Sequence, residues 1–80
     1  MGRSKQPGLP SLVIKRSINF SGRKSSVSLE DAFWSALKEI AATRGVRVSD
    51  LVSMIDKEHQ SRNLSSAIRL FVLGYYRGQV

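Results

Sequence analysis

The stretch Arg23-Lys24-Ser25-Ser26-Val27-Ser28-Leu29-Glu30-Asp31-Ala32-Phe33-Trp34 constrains the fold more than any other part of the chain. Its first half alternates: Ser25, Val27 and Leu29 point one way and Lys24, Ser26 and Ser28 the other, which is the period of a strand. Its second half places Glu30 and Asp31 directly before Phe33, Leu37, Ile40 and Ala41, which recur on one face of a helix. No turn residues separate the two, so strand and helix meet at a joint. A strand whose only firm apolar contributors are Val27 and Leu29 cannot stand alone, since even an isolated hairpin is marginal in water. It needs a partner along its edge and helices beneath it.

The flanking sequence supplies the helices. The alternation predicts a ribbon strand over 24–29, followed by a helix over 30–44 that Gly45 ends as a C′ residue, with Arg44 in the last turn. After Val46-Arg47-Val48, Ser49 reads as an N-cap. Asp50 follows in the first turn, and Leu51, Val52 and Ile55 form an apolar stripe with Met54 beside it, which predicts a second helix over 49–59. A third helix is expected over 64–77. Leu64, Ala67, Ile68, Phe71, Val72 and Tyr75 form its main face, while Leu70, Leu73 and Tyr76 lie around the side, so it wants burial on more than one side. Upstream, Ile14, Arg16, Ile18 and Phe20 alternate with Lys15, Ser17 and Asn19. With Ser21-Gly22-Arg23 as a turn, this is an N-terminal strand able to form a β-hairpin, although its pattern is the weaker of the two. Residues 1–11, with two prolines and two glycines, read as a flexible basic arm, leaving 12–80 as the domain.

Eighty residues make one domain at most and bury a modest share of their surface. There is no cysteine, so neither a disulfide nor thiolate-bound zinc can staple the fold, and oligomerisation is the remaining source of stability. The expected solution is an intertwined homodimer, mainly α with a short β-ribbon. In it the strand pairs with its copy across a twofold axis, over a shared core of Val27, Leu29, Phe33, Leu37, Ile40, Leu51 and Ile55. No apolar run approaches the ~20 residues of a membrane span, so a cytoplasmic, nucleoid-associated protein with no membrane partner is expected.

Charge indicates what such a dimer would meet. Residues 1–29 carry six basic side chains and no acid, while residues 30–80 carry seven basic and six acidic ones, so nearly all of the +7 excess is N-terminal. That asymmetry suggests a polyanion. A two-stranded ribbon fits the DNA major groove, where a lysine donates to guanine O6 and N7 and a serine hydroxyl serves several bases. Lys24, Ser26 and Ser28 are therefore the candidate base contacts.

Catalysis finds no foothold in the sequence. His59 is the single histidine, and with Asp56 it makes at most two weak ligands, so no metal is expected. The serines lack an aligned base, and the six glycines are scattered without a phosphate-cradling loop. Neither an enzyme nor a cofactor is expected. Trp34 reads as half-buried packing, Arg69 and Arg77 as a solvent edge.

From Lys24-Ser-Ser-Val-Ser-Leu29 through Gly45 to Val46-Arg-Val-Ser-Asp-Leu-Val-Ser-Met-Ile55, the chain resembles the ribbon-helix-helix family, the Arc and MetJ type of DNA-binding fold. Lys15-Arg-Ser-Ile18 and Asn63-Leu-Ser-Ser-Ala-Ile-Arg69 resemble segments of a small bacterial variant of that family. The resemblance implies a small bacterial transcriptional regulator that binds double-stranded DNA as a homodimer at an inverted repeat or paired half-sites. Lys24, Ser26 and Ser28 would read bases. Arg47, Val48 and Ser49, at the start of the second helix beside Asp50, would hold a phosphate, with Arg23, Lys15 and Arg16 as further phosphate contacts.

Ser25 stands where the family usually buries an apolar residue, and the extra strand and third helix lie outside the minimal fold. Ser65-Ser66-Ala67-Ile68-Arg69 also resembles the start of the family's second helix. That register would move the phosphate clamp to Asn63, Leu64, Ser65 and Ser66, and both registers stand at this point. Two other classes remain open. One is an antitoxin-like adaptor binding a protein through Phe71 and Tyr75 of the third helix; the other is a membrane-surface or RNA-binding protein using residues 3–24 without base discrimination.

Overall fold

The structure, a computed structural model, describes residues 12–59 and 63–78. The expected basic arm over 1–11 lies outside the described residues. The chain runs β1 (Val13–Phe20), β2 (Arg23–Glu30), α1 (Asp31–Arg44), α2 (Val48–Glu58) and α3 (Leu64–Tyr76). The expected fold class, a ribbon followed by two helices with a third helix added, is the one observed.

The ribbon strand has the N-terminal strand of the same chain beside it. β1 pairs antiparallel with β2 in one unbroken register, from Val13 opposite Glu30 to Phe20 opposite Arg23. The N-terminal strand expected as able to form a β-hairpin thus pairs with one edge of β2 within the chain. Ser21 and Gly22 explain why. Both have positive φ, 53° and 74°, the two-residue geometry whose twist matches that of the strands it joins, and glycine enters that region without a Cβ penalty. The turn folds the weaker strand back so that Ile18 and Phe20 join Val27 and Leu29 on one buried face.

The joint to α1 is as abrupt as the sequence implied. Glu30 ends β2 and, with extended backbone, is also the N-cap of α1. At the other end Gly45 has φ 72°, and the N–H groups of Gly45 and Val46 bond the carbonyls of Ala42 and Ala41 at 3.1 and 3.0 Å. This paired closure satisfies carbonyls that a helix end leaves open.

α2 begins at Val48, one residue before the expected start, so Ser49 is inside the helix and Arg47 is its N-cap. The reason is Asp50, whose carboxylate reaches back to the Arg47 backbone N–H at 3.4 Å and to its Nε at 3.3 Å. α3 is capped by Asn63, whose Oδ1 accepts from the Ser66 N–H at 2.8 Å.

The inner face of the hairpin lies on the three helices. Val27, Leu29, Leu37, Ile40, Leu51 and Ile55 are at most 2% exposed, and Ala67, Ile68, Phe71 and Val72 of α3 complete the same cluster. Phe33 and Trp34 are partly buried against it. Val27, Leu29, Leu37, Ile40, Leu51 and Ile55, expected in a shared core, are thus already buried within one chain, with β1 and α3 packed against them. Among the described residues, no helix is long and apolar enough to cross a membrane.

Candidate nucleic-acid interface

Because strand side chains alternate, burying Ile18, Phe20, Val27 and Leu29 forces their neighbours outward. The outward face carries Lys15 opposite Ser28, Ser17 opposite Ser26, and Asn19 opposite Lys24. All six are exposed. Val13 and Glu30 close the far end of this face, so Glu30 is its one acid.

Glu30 is held by Arg69, whose Nε donates to Glu30 Oε1 at 3.0 Å. Its carboxyl sits below the ordinary carboxylate range, first because its own backbone N–H bonds it and then because of Arg69. Arg69, expected on a solvent edge, is instead a clamp: a second guanidinium nitrogen donates to the Ser28 carbonyl at 3.0 Å. It also lies over the Phe33 ring, 6.0 Å from the centroid.

The other expected phosphate contacts divide. Lys15 shares the outward face, and Arg23 is exposed at the hairpin tip, 5.6 Å above the Phe20 ring. Arg16 takes the opposite side. Its guanidinium pairs with Asp31 Oδ1 at 2.5 Å, reaches the Leu29 carbonyl at 3.4 Å and lies 5.2 Å over Trp34. Its side chain is 16% exposed, and its Nε is buried without a partner. The alternation of Ile14, Arg16 and Ile18 already placed it inward; what the sequence did not display was the acid, fifteen residues away, that holds it there.

Of the expected clamp residues, Arg47 and Ser49 meet the hairpin tip, while Val48 is partly buried against the core. The Ser21 and Ser53 hydroxyls bond at 2.8 Å, and an open cleft of about 350 Å³ is lined there by Asn19, Phe20, Ser21, Gly22, Arg47, Ser49, Asp50 and Ser53. The start of α2 therefore lies next to the outward face, with Asn19 belonging to both. The alternative clamp at the start of α3 is already engaged internally. The Ser66 N–H is taken by Asn63, and the Ser65 hydroxyl accepts from the Ser28 backbone N–H at 2.9 Å.

Ser17 and Asn19 were not among the expected contacts. Their alternation with Ile18 and Phe20 was visible, but only the register sets them beside Ser26 and Lys24. On α3, Phe71, expected at an adaptor surface, is buried, while Leu70, Leu73 and Tyr76 are 44%, 50% and 56% exposed.

Neither the curated proteins nor the solved structures gave a significant match to this chain. A protein-family comparison matches residues 13–76, which takes in the hairpin and all three helices, to the ribbon-helix-helix domain. With the strand-to-helix joint, the polar outward ribbon and the helix start beside it all inside that match, the chain belongs to the ribbon-helix-helix domain family.

Proposed function

We propose that this protein is a small bacterial transcriptional regulator that binds double-stranded DNA with sequence preference, two copies occupying paired half-sites. The family is one of DNA-binding regulators that generally act as dimers. The observation that carries the reading is the outward face of the hairpin, which is wholly polar from Lys15 to Ser28, cationic at Lys15 and Lys24, and acidic only at the end where Arg69 pairs with Glu30. A ribbon of this width is what the major groove admits.

In this reading Lys24, Ser26 and Ser28 approach base edges, while Lys15 and Arg23 approach phosphates. Arg47 and the N–H groups of Val48 and Ser49 form the phosphate clamp, a role for which the start of α2 is favoured over that of α3 because the latter is engaged with Ser28 and Asn63. Arg16 is assigned no DNA contact, since it is paired with Asp31 on the buried side.

The test is selection from a randomised duplex pool, followed by anisotropy over a salt series. The expected result is a recovered palindrome preferred by ~10³ or more over random DNA, with affinity falling as salt rises. Lys24→Ala and Ser26→Ala should each relax discrimination by about 1–3 kcal/mol. Salt-sensitive binding with no preferred sequence would reduce the ribbon to an electrostatic surface.

A second reading, an adaptor that binds protein through α3, is favoured by exposed Leu70, Leu73 and Tyr76. Capture of a partner that is lost in Leu73→Asp and kept in Lys24→Ala would support it over the first.

A further inference from the structure

We propose that α3 sets the register in which two copies pair along β2, centring their shared ribbon on Ser25 so that Lys24 of each chain stands beside the partner's Ser26. The inference rests on the DNA-binding reading above, in which two copies act together. It adds where the twofold axis crosses the strand and which residues share a row in the groove.

The two edges of β2 differ. One edge is paired with β1 along its whole length. In an antiparallel ladder only alternate residues exchange hydrogen bonds with the partner strand, and a two-residue turn makes Phe20 and Arg23 an exchanging pair. Ser25, Val27 and Leu29 therefore face β1 through their backbone, and Lys24, Ser26 and Ser28 turn theirs to the other edge. α3 takes the last of these. The Ser28 N–H donates to Ser65 Oγ at 2.9 Å, and its carbonyl accepts from Arg69 at 3.0 Å. The edge from Arg23 to Val27 is left to the second copy.

Few symmetric registers suit that edge. The axis must pass through a residue, since a shift by one would set inward side chains opposite outward ones. An axis at Ser26 would pair Lys24 with the partner's Ser28, whose N–H and carbonyl α3 already holds. An axis at Lys24 would place two lysines directly opposite each other, which is destabilising, and would draw Gly22 of the turn into the ladder. An axis at Ser25 avoids both. Lys24 and Ser26 then exchange hydrogen bonds with the partner's Ser26 and Lys24, and the two Ser25 residues form the non-exchanging pair between them.

That register accounts for Ser25 itself. It shares the inward face with Val27 and Leu29, yet it is only partly buried in one chain. In a non-exchanging pair the Cα atoms stand about 4.5 Å apart. Two short hydroxyls then meet on the axis, and each can donate to or accept from the other. On the outward face, Lys24 and the partner's Ser26 form one row and their symmetry mates a second. Each row joins a lysine donor to a serine that donates or accepts, and neither row is complete in one chain. β1 flanks the rows from the far side of β2, which sets Lys15 toward the phosphates.

The experiment uses single-cysteine variants of the full chain, which has no cysteine of its own. In the proposed register two Ser25→Cys residues fall within the ~4.4–6.8 Å that a disulfide spans between Cα atoms. Two Ser26→Cys residues lie about 8 Å apart, from a rise of ~3.4 Å per residue and a strand spacing of ~4.8 Å. Mild oxidation without DNA should convert Ser25→Cys, and not Ser26→Cys, to a covalent dimer. Adding Ser65→Ala, which frees the Ser28 N–H, should raise the cross-linking of Ser26→Cys. On selected duplexes, Lys24→Ala and Ser26→Ala should each relax discrimination roughly 5- to 150-fold, at the same base-pair positions on either side of the centre. Cross-linking through Ser26→Cys in place of Ser25→Cys, cross-linking through neither, or a Ser26→Ala effect confined to the central base pair overturns the inference. A Ser26→Cys yield indifferent to Ser65→Ala overturns the part given to α3. If Ser25→Cys cross-links as expected but the wild-type chain prefers no duplex, the DNA-binding reading falls and the register stands.

Discussion

The two faces of the hairpin are built from the same sixteen strand residues, yet they behave as different materials. The inner face is apolar where it meets the helices, and its part-buried cation, Arg16, is tied to Asp31. The outer face has serines, asparagine and lysines with their side chains in solvent. Residues adjacent in sequence thus answer to different selective demands, one to packing and the next to recognition, because the strand period is two. Substitutions at neighbouring positions should separate stability from binding more sharply on this hairpin than on a helix, where the faces merge.

The largest effect should come from Leu29, which is fully buried. Leu29→Ala is expected to cost about 2–5 kcal/mol, since it removes buried methylenes and leaves a cavity under the helices. In a domain of this size that corresponds to a fall in Tm of about 4–8 °C per kcal/mol. Ser28→Ala, one position away, should change stability by less than about 0.5 kcal/mol, because Ser28 engages α3 through its backbone and not its side chain. Urea unfolding of the two variants measures both; equal losses would mean that the faces are not distinct.

Next is the turn that brings the faces into being. Gly22 has φ 74°, and a Cβ there would meet no other atom, so the penalty for a side chain is conformational and not steric crowding. Gly22→Val should destabilise by about 1–2 kcal/mol, the cost of holding an L-residue in the left-handed region. Loss of the Ser17–Ser26 and Asn19–Lys24 cross-strand proximities by NMR would show that the outer face depends on the turn. Unchanged stability would mean that another feature sets the register.

Much of this architecture was legible beforehand, and what was not has a physical pattern. Alternation in 23–30, the Ser21-Gly22 turn, the Gly45 stop and the stripe of α2 are local signals, and the elements they predict are present to within a residue or two. Three findings depend on contacts between distant residues, and local periodicity carries no information about them. These are Arg16 with Asp31, Ser65 and Arg69 on the edge of β2, and the packing of α3 into the same core as the hairpin. The candidate site divides in the same way. Lys24, Ser26 and Ser28 followed from alternation, whereas Ser17 and Asn19 needed the register, and Arg47 met the hairpin tip only once α2 was placed.

The clamp on the edge of β2 offers a smaller test. Asn63 positions the first turn of α3 by accepting the Ser66 N–H, and that turn holds Ser65 against Ser28. Asn63→Ala should cost about 1 kcal/mol, as for other N-caps. It should also raise the hydrogen-exchange rate of the Ser28 amide relative to that of Val27, which faces β1. Protection of Ser28 unchanged in this variant would mean that the edge is closed independently of the cap.

Glu30 is the exception to the contrast between the faces, because it lies on the outer face at the end of β2 and is still drawn into the fold by Arg69. Its carboxyl titrates below the ordinary range, held there by its own backbone N–H and by Arg69, so folding favours the ionised form. The stabilisation is present in full above the ordinary carboxylate range and is lost as pH falls through the lowered value, where the folded protein also takes up the proton. Thermal unfolding should therefore show a Tm that drops on acidification through that window. Glu30→Gln, which cannot ionise, should start lower at neutral pH and lose less across the same window. Because the pair is partly exposed, the difference should be smaller than the losses at Leu29, Gly22 and Asn63, and it should shrink as salt is added. Parallel curves for the two proteins would show that Arg69 holds the edge through the Ser28 carbonyl alone, leaving the outer face without an exception.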